Sequence, residues 1–138
     1  MSCVFCEINP NVTNIIQEKQ LVIVAMSNPR LVKGHLLVIP KRHVERPSEL
    51  NDEERKEFFD TAIEFQEKII SKLSTGCDIR QHFRPFLPES RIKVDHVHFH
   101  LLPRDFADEL FKKCLVFEKE IFQDLTEEEV REYIQLFR

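Results

Sequence analysis

Apolar and polar positions alternate most regularly along residues 94–104, the stretch VDHVHFHLLPR. Successive side chains of a β-strand point to opposite faces, so this alternation predicts a strand. One face carries β-branched and aromatic side chains typical of a sheet packed on a core: Val97, Phe99 and Leu101. The other face carries three histidines: His96, His98 and His100. A helical period would fan these imidazoles around the axis and leave no apolar stripe, so a helix is not predicted.

Other apolar patterns predict the elements around this strand. Short apolar runs at 21–26 and 35–39 predict two strands that pair antiparallel, and CDIRQHF begins a further strand at residue 77. Residues 51–73 have apolar side chains at helical spacing after an Asn-x-x-Glu capping box, which predicts a long amphipathic helix. A second capping box at Thr126 predicts a C-terminal helix. We therefore predict an α+β fold with an antiparallel β-sheet, in a single domain of residues 1–138.

Composition and charge exclude several classes of protein. The chain has 138 residues, of which 42% are hydrophobic and 32% charged, as is typical of one soluble globular domain. Its formal net charge is −4, so it lacks the basic field that favours nucleic acid, and we expect no nucleic-acid partner. No stretch is apolar for long enough to span a bilayer, and MSCVFCEINP shows no signal-peptide pattern. We therefore expect a cytoplasmic protein with no membrane partner.

Histidine and cysteine are the candidates for chemistry. Three of the six histidines lie on the predicted strand 94–104, where neighbouring imidazoles must find hydrogen-bond partners or compete for one charge near neutral pH. This favours a functional site over a solvent-facing strand. Two of the four cysteines form the pair Cys3-x-x-Cys6. In a cytoplasmic protein such a pair favours metal binding or redox chemistry over a disulfide framework.

Three segments resemble the histidine triad (HIT) superfamily. The run HVHFHLL at 96–102 matches its His-x-His-x-His-x-x signature, in which x is apolar. GHLLVIPKRH at 34–43 is similar to its second signature segment, and CVFCEI at 3–8 resembles the start of its zinc-bearing bacterial and archaeal branch. The resemblance covers residues 3 to about 104 and implies a HIT-like fold.

The resemblance implies a nucleotidyl hydrolase or transferase that cleaves nucleoside phosphoramidates or dinucleoside polyphosphates at the α-phosphorus. The middle histidine is the family's nucleophile, so His98 would form a covalent nucleotidyl-histidine. Neutral imidazole is a good nucleophile near pH 7 when an acceptor, such as a carbonyl, holds its other N–H. His100 and His35 would donate hydrogen bonds to the phosphate, although His35 is alternatively a strand-end residue without a role. His82 matches no motif position, which favours a surface or loop role.

The resemblance also implies a structural zinc site. Family members with this N-terminal pair bind zinc, and the matching ligands here are Cys3, Cys6, His43 and His96. Four protein ligands close a tetrahedral coordination sphere, so such a zinc ion would not activate water. The alternative is a reduced thiol pair with His43 exposed to solvent. No catalytic metal is implied, although magnesium would accompany a polyphosphate substrate.

The segment before the three histidines departs from the family pattern. Many relatives have glycines and a Gly-Gln-Ser or Gly-Gln-Thr segment that cradle phosphates, whereas this chain has PESRIKV and only two glycines. Arg84, Arg91 and Lys93 would replace those contacts with charges, or they form a solvated edge. Alternatively the loop has lost leaving-group assistance. Many relatives also have an acidic residue between the first two strands that binds ribose hydroxyls. This chain has none there, and Asn28 is the candidate for that hydrogen bond.

Three hypotheses on function remain open. The first is the nucleotidyl hydrolase or transferase, with a nucleotide or nucleotide conjugate as its small-molecule partner. The second is a zinc-stabilised nucleotide-binding or interaction module with little turnover, which the altered loop favours. The third is a thiol redox protein whose zinc-free cysteine pair has a lowered thiol pKa. Relatives are often two-fold dimers built on the long helix and an edge strand, so we also expect a homodimer.

Overall fold

The computed structural model describes residues 3–138, and the chain divides into two compact units. The first unit ends at Phe106 and the second is Ala107–Arg138. The first unit contains the β-sheet, the long helix and every residue predicted to take part in chemistry. The single domain 1–138 stays a prediction.

The first unit is built on a five-stranded antiparallel sheet. Its strands are β1 (Ile15–Glu18), β2 (Val22–Met26), β3 (Leu36–Pro40), β4 (Gly76–Arg80) and β5 (Phe99–Arg104). Their order is β1-β2-β3-β5-β4, so β5 lies between β3 and β4. This interior position brings the end of the histidine stretch next to segments from both neighbouring strands. The predicted α+β fold with an antiparallel sheet is confirmed.

The long helix α1 (Asp52–Lys72) has a well-defined N-terminus. The Asn51 side chain accepts a hydrogen bond from the Glu54 amide at 2.8 Å, and the Glu54 carboxylate accepts one from the Asn51 amide at 2.9 Å. These two bonds are the predicted capping box, and replacing such a cap by alanine typically costs about 1 kcal/mol. The predicted helix 51–73 agrees with α1 to within one residue at each end.

The hydrophobic core lies between α1 and one face of the sheet. Buried side chains of the helix meet buried side chains of β2, β3 and β5: Phe58, Ala62, Phe65 and Ile69 with Val22, Val24, Val38, Phe99 and Leu101. The rings of Phe58 and Phe99 stack with centroids 4.0 Å apart. Burying a side chain of this size stabilises the fold by roughly 2–3 kcal/mol. Because the alternate apolar positions of the histidine stretch enter this core, its histidines are left to the opposite face.

The strand β5 begins later than the alternation predicts. It starts at Phe99, so His96 and His98 precede the strand. The Val97 amide donates to the Val44 carbonyl at 2.7 Å, and the His96 carbonyl lies 2.6 Å from a ring nitrogen of His98. Since these backbone groups are bonded elsewhere, they do not join a sheet ladder. The prediction of a strand is therefore wrong for residues 94–98, although its core-facing positions are correct.

The second unit is helical. It contains α2 (Glu109–Lys113), a 3₁₀ helix at Leu115–Glu120 and α3 (Glu127–Phe137). The predicted capping box begins α3, because the Thr126 hydroxyl accepts from the Glu129 amide at 3.1 Å. Across residues 3–138, no helix combines the length and apolar character needed to cross a membrane.

Candidate active site and metal site

The sheet register places His100 between two strands. His100 pairs with Leu37 of β3 and with Arg80 of β4, and cross-strand partners project to the same face of a sheet. His35 lies just before β3 and His98 just before β5, and a ring nitrogen of each lies within hydrogen-bond distance of the His100 ring. The structure thereby brings together the three histidines that were predicted to act on phosphate.

A chain of hydrogen bonds runs through these histidines in one direction. The Leu31 backbone amide donates to His35 Nδ1 at 3.0 Å, so Nδ1 must carry a lone pair. Neutral His35 then has its proton on Nε2, and this N–H donates to His100 Nδ1 at 2.9 Å. His100 must in turn carry its proton on Nε2. A single backbone donor therefore sets the tautomers of two imidazoles.

The chain of hydrogen bonds ends at His98, the predicted nucleophile. His100 Nε2 lies 3.1 Å from His98 Nε2, and His98 Nδ1 lies 2.6 Å from the His96 carbonyl oxygen. Because a carbonyl can only accept, His98 Nδ1 carries the proton and Nε2 carries the lone pair. The site thus contains a neutral imidazole with an available nitrogen lone pair, which is the state that nucleophilic attack requires.

The surroundings of the three imidazoles keep them neutral. Burial, followed by the charges of His98 and Arg80, lowers the pKa of His35 to about 4. Burial and then the neighbouring histidines lower the pKa of His100 to about 3. Burial also lowers the pKa of His98, against the opposing effect of its hydrogen bond to the His96 carbonyl. All three groups are therefore uncharged at pH 7, as the hydrogen-bond chain requires.

A cavity of about 120 Å³ opens beside His98 and His100. Most of its other lining residues belong to the loop between β4 and β5. The apolar ones among them are Phe83, Leu87, Ile92 and Val94. The polar ones around the cavity are Glu45, His82, Arg84, Lys93, Asp95 and His96. The cavity is therefore mixed in character and carries both acidic and basic groups close to the nucleophile.

The predicted substrate-binding residues separate into two groups. Arg84 and Lys93 line the cavity. Lys93 also forms an ion pair with Asp95, which offsets part of its charge. Arg91 is exposed at the turn of a short hairpin, and Asn28 is exposed between β2 and β3. Neither Arg91 nor Asn28 lines the cavity in the part of the chain that the structure describes.

His82 is a residue of this site that the sequence motifs missed. Its ring packs against His100 with centroids 5.0 Å apart and planes inclined by 33°. It also lines the cavity beside His98 and His100. His82 lies two residues after Arg80, which pairs with His100 across β4 and β5. The available signal was its place in CDIRQHF, the stretch that begins a predicted strand, but only the strand register shows which residues it meets.

A second cluster contains the four predicted metal ligands. The ligand atoms of Cys3, Cys6, His43 and His96 all lie within 4.8 Å of one another. His96 Nδ1 is 3.4 Å from Cys3 Sγ and 3.2 Å from His43 Nδ1, and Cys6 Sγ is 3.3 Å from His43 Nδ1. Tetrahedral zinc bonds of about 2.05 Å to nitrogen and 2.3 Å to sulfur imply separations of ~3.4 Å between nitrogens and ~3.6 Å between nitrogen and sulfur. The donor set and its spacing therefore fit zinc.

Neighbouring groups orient this cluster. His96 Nε2 lies 2.6 Å from the Pro40 carbonyl oxygen, so Nε2 carries the proton and Nδ1 faces the other ligands. Beside His43, the Arg42 guanidinium donates to the Glu54 carboxylate of α1 at 2.8 Å. The first bond ties His96 to the end of β3, and the second ties the segment after β3 to α1. The cluster therefore stands on groups that the fold already fixes.

The chain belongs to the HIT domain family, whose family model matches residues 9–107. It is 34% identical over 110 residues to an uncharacterised HIT-like protein of Methanocaldococcus jannaschii, covering 77% of this chain and 81% of that protein. It is also 29% identical over 109 residues to the adenosine 5′-monophosphoramidase of Schizosaccharomyces pombe, covering 75% of each. The predicted membership of the HIT superfamily is confirmed.

Solved structures show the same fold. A member of the HIT family from Bacillus subtilis matches with a TM-score of 0.72 and 23% identity, over 100% of this chain and 98% of that chain. A zinc-bound histidine triad family protein from Mycobacterium smegmatis matches with a TM-score of 0.67 and 25% identity, over 80% of each chain. The predicted HIT-like fold is confirmed.

The lowered pKa of His35 predicts a pH dependence of stability. Its folded pKa of about 4 lies below the ordinary value of about 6.5, so between these values the unfolded chain binds more protons. The contribution of neutral His35 to the free energy of unfolding is complete above about pH 6.5 and decreases as the pH is lowered. When the pH is lowered from 7 to 5, the free energy of unfolding of wild type should decrease by about 2 kcal/mol more than that of His35→Gln. Urea unfolding at both pH values measures the difference.

The control for this measurement is His82→Gln, which removes a histidine from an exposed position. We expect it to change the pH dependence much less than His35→Gln does. Parallel pH profiles for wild type and His35→Gln would show that His35 is not held neutral in the folded state.

Proposed function

We propose that the protein is a nucleotidyl hydrolase or transferase that cleaves nucleoside phosphoramidates or dinucleoside polyphosphates at the α-phosphorus. The observation that carries this proposal is the neutral His98 imidazole, whose Nε2 lone pair lies beside a cavity and within 3.1 Å of His100 Nε2. The family relationship supports it, because one relative is named as an adenosine 5′-monophosphoramidase. A further relative is named as an asymmetrical bis(5′-nucleosyl)-tetraphosphatase.

In the proposed first step, His98 Nε2 attacks the α-phosphorus and the bond from phosphorus to the leaving group breaks. The proton stays on His98 Nδ1 and keeps its hydrogen bond to the His96 carbonyl, which supports the positive charge that develops on the ring. Because attack uses the lone pair of His98 Nε2, the Nε2–H of His100 loses this acceptor and donates instead to a phosphate oxygen. Water then attacks the nucleotidyl-histidine, or another acceptor takes the nucleotidyl group.

The proposed nucleotide contacts are Arg84, Arg91, Lys93 and Asn28. Arg84 and Lys93 line the cavity, which favours phosphate contacts from both. Arg91 and Asn28 are exposed at loop positions, so they would reach only parts of the substrate that extend beyond the cavity. Magnesium would arrive with a polyphosphate substrate, and no second group of potential metal ligands occurs among residues 3–138.

Replacing His98 by alanine should abolish turnover while leaving the fold intact. We expect a loss of ~10³-fold or more, because the variant cannot form the covalent intermediate. The measurement is hydrolysis of adenosine 5′-phosphoramidate and of a dinucleoside polyphosphate, with circular dichroism to confirm folding. In wild type, acid-free denaturation during turnover should trap labelled nucleotide on the protein. An active His98→Ala variant would contradict the proposed mechanism.

A second candidate function is a nucleotide-binding module with little turnover. The altered loop favours it, because Arg91, Ile92 and Lys93 stand where many relatives have Gly-Gln-Ser or Gly-Gln-Thr, and Lys93 is paired with Asp95. Tight nucleotide binding by calorimetry in both wild type and His98→Ala, with no product from either, would support this candidate. Product formation by wild type alone supports the enzyme.

We also propose that Cys3, Cys6, His43 and His96 hold one structural zinc ion. Their spacing supports this, and a similar solved structure is described as zinc-bound. Four protein ligands leave no open position, so the ion would fasten the N-terminal segment and would not activate water. The redox alternative requires a zinc-free pair with a lowered thiol pKa, so zinc bound to the purified protein would exclude it. Thiolate ligands need a reducing compartment, so we propose a cytoplasmic location, testable by cell fractionation.

Purified protein should contain about one zinc ion per chain, measured by inductively coupled plasma mass spectrometry. Cys6→Ser should lose the metal and lower the Tm. Even ~3 kcal/mol of lost stability would lower the Tm of a chain of this size by roughly 10 °C. Cys114→Ser is the matched control, because Cys114 is an exposed cysteine outside the cluster and its loss should leave zinc bound. Wild type without zinc would contradict the proposal.

We further propose that the protein is a homodimer built on α1. Three apolar side chains at helical spacing on α1 are largely exposed: Phe59, Ile63 and Ile70. Ile63→Glu should put a charge into this contact and give a monomer in sedimentation velocity. Ser71→Glu adds a charge at another exposed position of α1 and should leave the dimer intact. A monomeric wild type would contradict the proposal.

A further inference from the structure

His82 lies where a proton carrier for the reaction would have to lie. It follows β4 by two residues, lines the cavity beside His98, and packs its ring 5.0 Å from the His100 ring. His82 is exposed, so its ring can exchange protons with solvent as well as face the cavity. Within residues 3–138, no group hydrogen-bonds the ring nitrogens of His82. The imidazole is therefore available for a new hydrogen bond.

The other histidines are already committed. Both ring nitrogens of His35 are bonded, one by the Leu31 amide and one to His100. His100 uses one nitrogen to accept from His35 and the other to donate to His98. His98 gives one nitrogen to the His96 carbonyl and keeps the other for attack. His35 and His98 cannot deliver a proton to a leaving group without breaking the arrangement that prepares the nucleophile. The His100 N–H, in turn, is used by a phosphate oxygen once attack begins.

The remaining titratable groups around the cavity are poorer candidates. Asp95 is paired with Lys93. Glu45 is exposed and lies on the segment after β3, whereas His82 packs against the His100 ring. The guanidinium of Arg84 carries only hydrogen-bond donors, so it has no acceptor for the proton of a water molecule. An imidazole, by contrast, both gives and takes a proton near pH 7.

We propose that His82 is a catalytic residue that gives a proton to the leaving group and takes one from water, an inference that rests on the proposed nucleotidyl transfer. In the first step the bond from His98 Nε2 to phosphorus forms, the bond from phosphorus to the leaving atom breaks, and the His82 imidazolium protonates that atom. In the second step water attacks phosphorus, the bond to His98 breaks, and His82 takes the proton of the water. His82 ends as it began, ready for the next turnover.

The charges that face His82 are consistent with this cycle. In the free protein its pKa is lowered, first by partial desolvation and then by the cations Arg84 and Arg80. The His98 and His100 rings face it as neutral groups. A bound phosphate brings negative charge into the cavity and offsets the two cations, which favours protonation of His82 when substrate is present. Substrate binding would therefore load the proton that the first step uses.

The test compares leaving groups that differ in their need for a proton. An alkylamine leaves an adenosine 5′-phosphoramidate only if its nitrogen is protonated, whereas 4-nitrophenolate leaves the 4-nitrophenyl ester of AMP as an anion. Under single-turnover conditions, with enzyme in excess, His82→Ala should slow alkylamine release by ~10²-fold or more. It should slow nitrophenolate release by less than about 10-fold. The nitrophenyl ester is thus an internal control for folding and for nucleophilic attack.

A second readout isolates the second step. With substrate in excess, His82→Ala should release a burst of nitrophenolate and then turn over slowly, because water attack on the nucleotidyl-histidine lacks its base. Added imidazole should speed the slow phase. Equal losses on both substrates, or no loss on either, would overturn the role of His82 while leaving the proposed function standing. A wild type that releases neither leaving group would overturn the proposed function, and this inference with it.

Discussion

The hydrogen bond from the Leu31 backbone amide to His35 Nδ1 determines the chemistry of the whole histidine cluster. An amide nitrogen in a peptide can only donate, so this bond cannot reverse its direction. Every later bond in the chain inherits that direction, through His35 and His100, until the lone pair of His98 remains. The chain closes on the His96 carbonyl, which can only accept. A fixed donor at one end and a fixed acceptor at the other leave one arrangement of protons for three neutral rings.

The two clusters of the protein share one residue. The backbone carbonyl of His96 holds the ring of His98, while the side chain of His96 faces Cys3, Cys6 and His43. Phe5, from the segment that carries the cysteines, meets the His98 ring edge-on at 5.0 Å. The order of the N-terminal segment and the orientation of the nucleophile are therefore coupled through contacts of a few ångströms.

The sequence predicted the helix and the core-facing positions because both depend on local periodicity. Phe58 and Phe99 repeat at the spacings of a helix and a strand, and each enters the core. The start of β5 at Phe99 could not be predicted, because it depends on the Val44 carbonyl, a partner distant in sequence. β1 was missed because its four residues are all exposed and show no alternation.

The candidate site was partly predictable for the same reasons. The triad signature contains His96, His98 and His100 in one short run, so its residues were found together. His82 reaches the cavity only through the register of β4 with β5, which no single-sequence pattern displays. The two cations expected near phosphate but found at exposed or paired positions, Arg91 and Lys93, depend on a loop whose hairpin turn has no periodicity.

The shared use of His96 has a consequence for how this sequence can vary. His96 must meet two requirements at once. Its ring has to face the cysteines, and its backbone carbonyl has to accept from His98 Nδ1 and so set the tautomer of His98. An insertion or deletion between His96 and His98 would displace either the His96 ring or the His96 carbonyl, whichever residue were inserted or deleted. Substitutions elsewhere in the loop before β5 meet no such double requirement. The spacing between His96 and His98 is therefore more tightly constrained than the identity of the residues around them. Insertions and deletions are better tolerated in the loop between β4 and His96.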